Sequence, residues 1–341
     1  MNISIIIPTY QRPELIERLC EQVLVQELPN GIAPLNIAVY IVDDDDAGNV
    51  SKSVETLAKK IPAGSPYSFT YVLGEGLGPG QARNKAVTES KCNDDDWVIF
   101  LDDDCEVGKK WLSEFIEGIS KRPGAEMYYG PVTSGAQPCP PFLHALDIQE
   151  SPYKGANIAF KAKAYKALGG FEEPLSYWAE DWDLVAKAQK AEVKLNYLPH
   201  WQCGHPARYT SPRYLYWPRI QQHFTTVAHM LEAYPQLNEV QKHFSSFFRQ
   251  APLMLGIRLL FWLLPALVVS PGRVFLVFML LNISFDAIRL IRKQMHLKAH
   301  RYRVRGVDAI LYLLLNWTED LWTAIQRLWV LGYTQKLKLA K

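Results

Sequence analysis

Nine residues concentrate the chemistry. From Trp97 to Cys105 the chain reads WVIFLDDDC, five apolar side chains running straight into Asp102, Asp103 and Asp104. Three successive carboxylates repel one another unless water solvates them or a cation neutralises them. Hard divalent ions such as Mg²⁺ and Mn²⁺ take oxygen ligands, and Mg²⁺ is commonly held by one or two carboxylates plus substrate phosphates. A solvated acidic turn is the competing reading. A second apolar run, Ile37 to Val42, likewise ends in carboxylates, Asp43 to Asp46. A third acidic group lies in Tyr177-Trp178-Ala179-Glu180-Asp181-Trp182-Asp183. Acids there either cap a helix start or stand ready to accept a proton. Gly74 to Gly80 (GEGLGPG) opens into QARNKA, a loop-to-helix junction that attracts anions, with Arg83 and Lys85 adding charge. Alone, it is equally a plain tight turn. His205, in Cys203-Gly204-His205-Pro206, reads as a loop residue or a ligand.

These groups need rigid elements to aim them. Asn2 to Ile7 reads as a buried strand ended by Pro8, followed by a turn and a helix with Leu15, Ile16, Leu19, Val23 and Leu24 on its apolar face. Residues 51–60 read as a helix, Ser68 to Leu73 as a strand and Trp111 to Ile119 as a helix. Strands alternating with helices predict βαβ units, a mostly parallel sheet and an α/β fold, with ligands at the carboxyl ends of the strands. Residues 131–153 hold five prolines and read as a loop or cleft wall. Ala162 to Leu168 reads as a helix closed by Gly169-Gly170, a further helix is expected from Leu184, and Val193 to Leu198 as a short strand.

With 341 residues, 48% of them hydrophobic, the chain has ample material for a large core and is no disordered polymer. The net charge of +2 conceals an asymmetry, because residues 289–305 carry seven Lys or Arg and no acid. Five cysteines without a CxxC pair argue against a disulfide framework or a zinc site. MNISIIIPTY lacks the basic start and long apolar core of a signal peptide, so the catalytic part is expected to stay on the side where it is made.

Composition shifts after residue 208. Residues 209–252 are rich in Tyr, Trp, His and Gln and read as a helical, acceptor-side linker. Residues 253–341 read as an α-helical membrane-associated region. Its apolar runs 259–269 and 274–285 form either one span or a re-entrant hairpin, a buried soluble hairpin being the competing reading. The basic run and Trp317, Trp322 and Trp329 then suit an interfacial segment facing anionic lipid.

Six segments together carry a resemblance: ISIIIPTYQRP, IVDDDD, GPGQARNKAV, WVIFLDDDC, GANIAFKAKAYKALGGFEE and WAEDWDLVAKAQKA. In this order, over roughly residues 2–206, the chain resembles family 2 glycosyltransferases of GT-A fold. The resemblance implies a GT-A, Rossmann-like catalytic domain over 1–208 that transfers a sugar from a nucleotide diphosphate donor with inversion, assisted by Mg²⁺ or Mn²⁺. It places Thr9, Asp44, Arg83, Asp102 and Asp103 at the donor, and Asp102, Asp104 and His205 at the metal. Asp181 becomes the general base, with Glu180, Trp178 and Asn157 on the acceptor side. The QxxRW motif of processive synthases is missing, which implies a non-processive enzyme. Asp45 and Asp46 replace the small polar residues common after the family's paired Asp, leaving open which carboxylate meets the base of the nucleotide. The implied partners are the donor, a lipid-linked or glycan acceptor and membrane lipids, with no nucleic acid. The implied location is the inner (plasma) membrane, catalytic domain in the cytoplasm. Two other functions compete: a sugar-phosphate nucleotidyltransferase, and an inactive membrane-tethered binding module.

Overall fold

The computed structural model describes residues 1–29, 35–45, 47–134, 143–144, 147–148, 150–175, 179–206, 208–209, 226 and 229–243. The chain divides into two compact units. One comprises residues 1–135 and 145–207, the other residues 136–144 and 208–341.

In the first unit the elements run β1 (Asn2–Thr9), α1 (Pro13–Leu24), β2 (Asn36–Asp43), α2 (Ser51–Lys59), β3 (Tyr67–Leu73), α3 (Pro79–Glu89), β4 (Trp97–Phe100), β5 (Glu106–Val107), α4 (Trp111–Lys121), β6 (Met127–Tyr129) and β7 (Val132–Thr133). The second unit contributes β8 (Leu143–His144), after which the first resumes with β9 (Asp147–Ile148), β10 (Ile158–Lys161), α5 (Ala162–Ala167), a 3-10 turn (Glu173–Leu175), α6 (Glu180–Lys190), β11 (Leu195–Tyr197) and β12 (Cys203–Gly204). In the second unit β13 (Arg208–Tyr209) pairs antiparallel with β8, and residues 229–233 and 238–243 are helical.

The main sheet has the order β11-β6-β10-β4-β1-β2-β3. Strands β4, β1, β2 and β3 are mutually parallel, while β10 runs antiparallel to both β4 and β6. The α/β reading with a mostly parallel sheet is borne out. Burial explains the near-continuous apolar runs: every residue of β4 is buried, as is β1 from Ile3 onward. Alternation then sorts the faces. Ile3, Ile5, Ile7, Ile37, Val39 and Ile99 share a core with Ile16 and Leu19 of α1, Leu57 of α2 and Phe115 of α4. Helix α3 contacts β1 and β2, and Phe100 meets Phe160, Tyr165 and Phe171.

Most boundaries shift by a residue or two, and two of the differences bear on the site. Strand β1 continues through Pro8 to Thr9. Its pairing with β4 ends at Ile6↔Phe100, so beyond it only β2 is a neighbour, and the missing proline N–H costs no ladder bond on the β4 side. Helix α6 begins at Glu180 rather than Leu184, because Ala179 takes a left-handed φ of 62° and turns the chain directly into the helix. Glu180 and Asp181 therefore occupy its first turn.

No helix among the described residues is long and apolar enough to cross a membrane. The expected hairpin or span and the basic interfacial segment, 253–341, lie outside the described residues, as do most of the 209–252 linker, Trp178 and Asp46.

Candidate active site

The carboxyl ends of β1, β2 and β4 converge, as the parallel order requires, and each delivers polar groups there. At the end of β1, Thr9 donates its hydroxyl to Asp103 Oδ2 at 2.8 Å, and Arg12 Nη1 holds Asp103 Oδ1 at 3.0 Å. Asp103, buried and already committed on both oxygens, is a scaffold for this corner. Arg12 was not anticipated as a site residue; its place in the YQRP turn just beyond β1 is the only sequence signal that could have pointed to it.

At the end of β2, Asp44 gathers the glycine loop. Its Oδ1 accepts the N–H groups of Glu75 (3.2 Å) and Gly76 (2.9 Å), and its Oδ2 accepts that of Gly78 (2.7 Å). The approach is so close that a Cβ on Gly74 would stand 2.6 Å from Asp44 Oδ1. Glycine is thus required at 74 by contact, and Asp44 fixes the loop that opens α3. Asp43 is fully buried and accepts the Val50 N–H at 3.0 Å; burial raises its carboxyl above the usual range.

Beyond β4 the chain turns through Asp102 to Asp104 into β5. There β12 pairs antiparallel with β5, Cys203↔Val107 and Gly204↔Glu106, and this register carries His205 back beside Asp104. His205 Nε2 lies 3.1 Å from Asp104 Oδ2. One ligand atom each from Asp102, Asp104 and His205 fall within 4.8 Å of one another. Bonds of about 2.1 Å put neighbouring ligands of a divalent ion about 3 Å apart and opposite ones about 4 Å apart, so side-chain shifts of well under 1 Å would let this triad close on such an ion. Two oxygens and one imidazole suit Mn²⁺ as well as Mg²⁺.

The first turn of α6 faces the same place. Arg83, on α3 and almost wholly buried, contacts Asp102 Oδ1 at 2.5 Å and Glu180 Oε1 at 3.5 Å. Burial, then the neighbouring Asp181 charge, push Glu180 up to about 8, and Arg83 only partly offsets this. Burial also raises Asp181, against the stabilising Trp182 N–H that reaches its Oδ1 at 2.8 Å. Two adjacent half-buried carboxylates favour sharing one proton. Tyr153 stacks on Trp182 with centroids 4.0 Å apart, bracing this turn.

Asn157 is placed otherwise than expected. It is fully buried, accepts from Trp111 Nε1 at 2.8 Å, and donates to the carbonyls of Pro131 (3.0 Å) and Trp201 (2.6 Å). Its amide is spent on the fold and has nothing left for an acceptor; it ties β10 to α4 and to the loops leading to β7 and β12. Beside it, Lys154 Nζ donates to the Gly130 carbonyl, stands over the Tyr129 ring and is pushed down to about 8 by burial. Sequence alone gave no sign of a buried lysine here.

A mostly parallel sheet with carboxylates at its strand ends, a candidate cation triad and a half-buried acid pair defines an α/β domain whose ligand end lies at the carboxyl ends of its strands. Residues 4–154 match the profile of glycosyl transferase family 2. Over this segment, somewhat under half of the chain, the sequence is similar to that family. A relative, succinoglycan biosynthesis protein ExoM of Rhizobium meliloti (strain 1021), is 31% identical over 141 residues, 41% of this chain. The chain spans 42% of that relative's length, under half of it. Two solved structures share the fold. The mannosyltransferase PcManGT from Pyrobaculum calidifontis, in complex with GDP-Man and Mn²⁺, gives a TM-score of 0.59 at 18% identity, covering 96% of this chain and 87% of that one. The 1–349 portion of S. aureus TarS, in complex with UDP, gives 0.50 at 16% identity, with 93% and 91% covered.

Proposed function

We propose that this chain is a metal-assisted, inverting glycosyltransferase that moves one sugar from a nucleotide diphosphate donor to a hydroxyl of a glycan or lipid-linked acceptor. The observation that carries the reading is the Asp102–Asp104–His205 triad at the end of β4, with the Glu180–Asp181 turn joined to it through Arg83. The family 2 match supports sugar transfer, and the nucleotide sugar and Mn²⁺ in the Pyrobaculum complex support the donor class and the metal. The relative's part in succinoglycan biosynthesis supports a polysaccharide or glycolipid acceptor.

In this scheme Asp102, Asp104 and His205 would hold Mg²⁺ or Mn²⁺, which when bound would supply positive charge to offset that of the departing diphosphate. Thr9 and Asp44, with Asp103, shape the nucleotide side. Asp181 takes the acceptor hydroxyl proton as its oxygen bonds to the anomeric carbon. The bond from that carbon to phosphate breaks on the opposite face, its electron pair leaving with the nucleoside diphosphate. One base on one face suffices for inversion. Attachment to the cytoplasmic face of the inner membrane through 253–341 belongs to the same proposal and rests on the apolar and basic runs of the sequence.

The test is a screen of nucleotide sugars for thermal stabilisation with Mn²⁺, followed by product analysis. Release of nucleoside diphosphate with sugar transfer is expected. Pyrophosphate release from a nucleoside triphosphate would assign a nucleotidyltransferase instead, and no turnover of any bound donor would leave a binding module.

A further inference from the structure

We infer that Arg83 is a positioning residue: a buried fork that sets the metal carboxylate Asp102 and the first turn of α6 in register, so that cation binding and acceptor activation are coupled. This rests on the reading of the site as a metal-assisted glycosyltransferase centre, but not on the identity of donor or acceptor.

The two terminal nitrogens of Arg83 go to different carboxylates on different elements. Nη2 meets Asp102, just past β4, and Nη1 meets Glu180, at the start of α6. A guanidinium is planar and rigid, so fixing one end of the fork constrains the other. Its surroundings hold that plane. The Arg83 Cζ lies 5.2 Å from the centroid of the Phe171 ring. A Cβ added to Gly155 would come within 3.1 Å of Nη2 and 3.6 Å of both Cζ and Nη1, so the backbone at 155 lies against the group. Helix α3, which bears Arg83, packs equally closely on α6: a Cβ on Gly80 would stand 3.3 Å from Phe171 Cβ and 3.6 Å from Glu180 Cβ.

Charge points the same way. Burying an arginine is costly unless carboxylates face it, and among the described residues Arg83 Nε has no hydrogen-bond partner at all. The fold thus tolerates an incompletely satisfied buried cation in order to keep its fork. An arginine whose task was to grip a donor phosphate would need its terminal nitrogens open to the cleft. Here both are engaged and the side chain is 2% exposed. Asp102 belongs to the cation triad and to the fork at once, which makes Arg83 a partner that orients a ligand from behind. Removing such partners usually costs about 10–100-fold in metal affinity or activity.

The experiment uses the full chain and four variants: Arg83→Lys, Glu180→Gln, the double variant, and Gly155→Ala. Lysine keeps the charge and loses the fork, whereas alanine at 155 keeps every charge and presses on the guanidinium. Mn²⁺ affinity is read by electron paramagnetic resonance with UDP or GDP present, and nucleoside diphosphate release gives kcat and KM. Expected for Arg83→Lys is about tenfold weaker Mn²⁺ binding and about a hundredfold lower kcat, with donor KM little changed. Glu180→Gln, which lies on α6 rather than in the triad, should shift Mn²⁺ affinity in the wild-type background and clearly less in the Arg83→Lys background. Equal shifts in both backgrounds overturn the coupling, as does a loss confined to donor KM. If Arg83→Lys does not fold, Gly155→Ala decides: wild-type Mn²⁺ affinity and kcat in that variant refute the inference. A wild-type chain that binds Mn²⁺ with neither nucleotide overturns the functional reading, and the coupling falls with it.

Discussion

His205 Nε2 stands 3.1 Å from Asp104 Oδ2, two side chains from distant parts of the chain brought together by the pairing of β5 with β12. The contact has two chemical states. A protonated imidazole gives an ion pair, while a neutral imidazole beside a carboxylate gives half of a divalent cation site. Metal binding needs His205 neutral, so a cation must displace any proton there.

Asp104→Ala is accordingly expected to abolish metal-dependent stabilisation by nucleotide sugars, because no other described side chain replaces its oxygen in the triad. His205→Ala should weaken Mn²⁺ more than Mg²⁺, since imidazole suits the softer ion. Calorimetric titration of each metal checks both; unchanged metal dependence in Asp104→Ala sinks the assignment.

Asp181→Asn retains shape but accepts no proton. Turnover should fall by about 10²–10⁴-fold while donor affinity stays near wild type. The measurement is kcat beside donor binding. A loss in donor affinity alone would make Asp181 a binding group.

The parallel half of the sheet was legible because buried strands leave apolar runs, and carboxylates at their ends mark the face where ligands bind. The resemblance supplied His205; periodicity could not, because only the β5–β12 register brings it to Asp104. The start of α6 was misplaced since nothing in Tyr177 to Asp183 announces a left-handed alanine, and Ala179 provides no side-chain cap. Arg12 and Lys154 escaped notice for a related reason: their partners, Asp103 and the Gly130 carbonyl, are remote in sequence. Asn157 was read by its neighbourhood in the chain, whereas its three long-range hydrogen bonds and its φ of 56° define it.

That reassignment is testable. Asn157→Ala strands the Trp111 N–H and two carbonyls in the core, each at a cost of about 1–3 kcal/mol, and places alanine in a conformation asparagine tolerates better. Urea unfolding should show a loss of several kcal/mol by that reckoning. Near-wild-type stability with a raised acceptor KM would restore Asn157 to the acceptor side.

Lys154 should leave a signature in pH. Its folded-state value near 8 lies below the usual 10.5, because burial disfavours the ammonium. Between those values the unfolded chain binds more protons than the native one, so this group makes stability rise with pH across that window, and its penalty is fully present below about pH 8. Lys154→Met removes the titration. The stability of wild type relative to this variant should therefore increase from pH 8 to pH 10 in urea unfolding; a constant difference contradicts the buried charge.

Membrane attachment is the prediction that depends least on the active site. The stretch from Leu259 to Leu281 is mostly apolar, a basic run follows at 289–305, and tryptophans come after it. About 20 apolar residues suffice to span a bilayer, while shorter runs lie at its surface or re-enter. Basic residues add an attraction to anionic lipid that salt screens, whereas buried apolar surface resists salt. The full chain, compared with a version ending near Tyr209, should sediment with membranes, resist extraction by high salt and be released by detergent. Fractionation that leaves the full chain soluble, or releases it with salt alone, would mean that the apolar stretch packs within the protein and that the acceptor need not be membrane-bound.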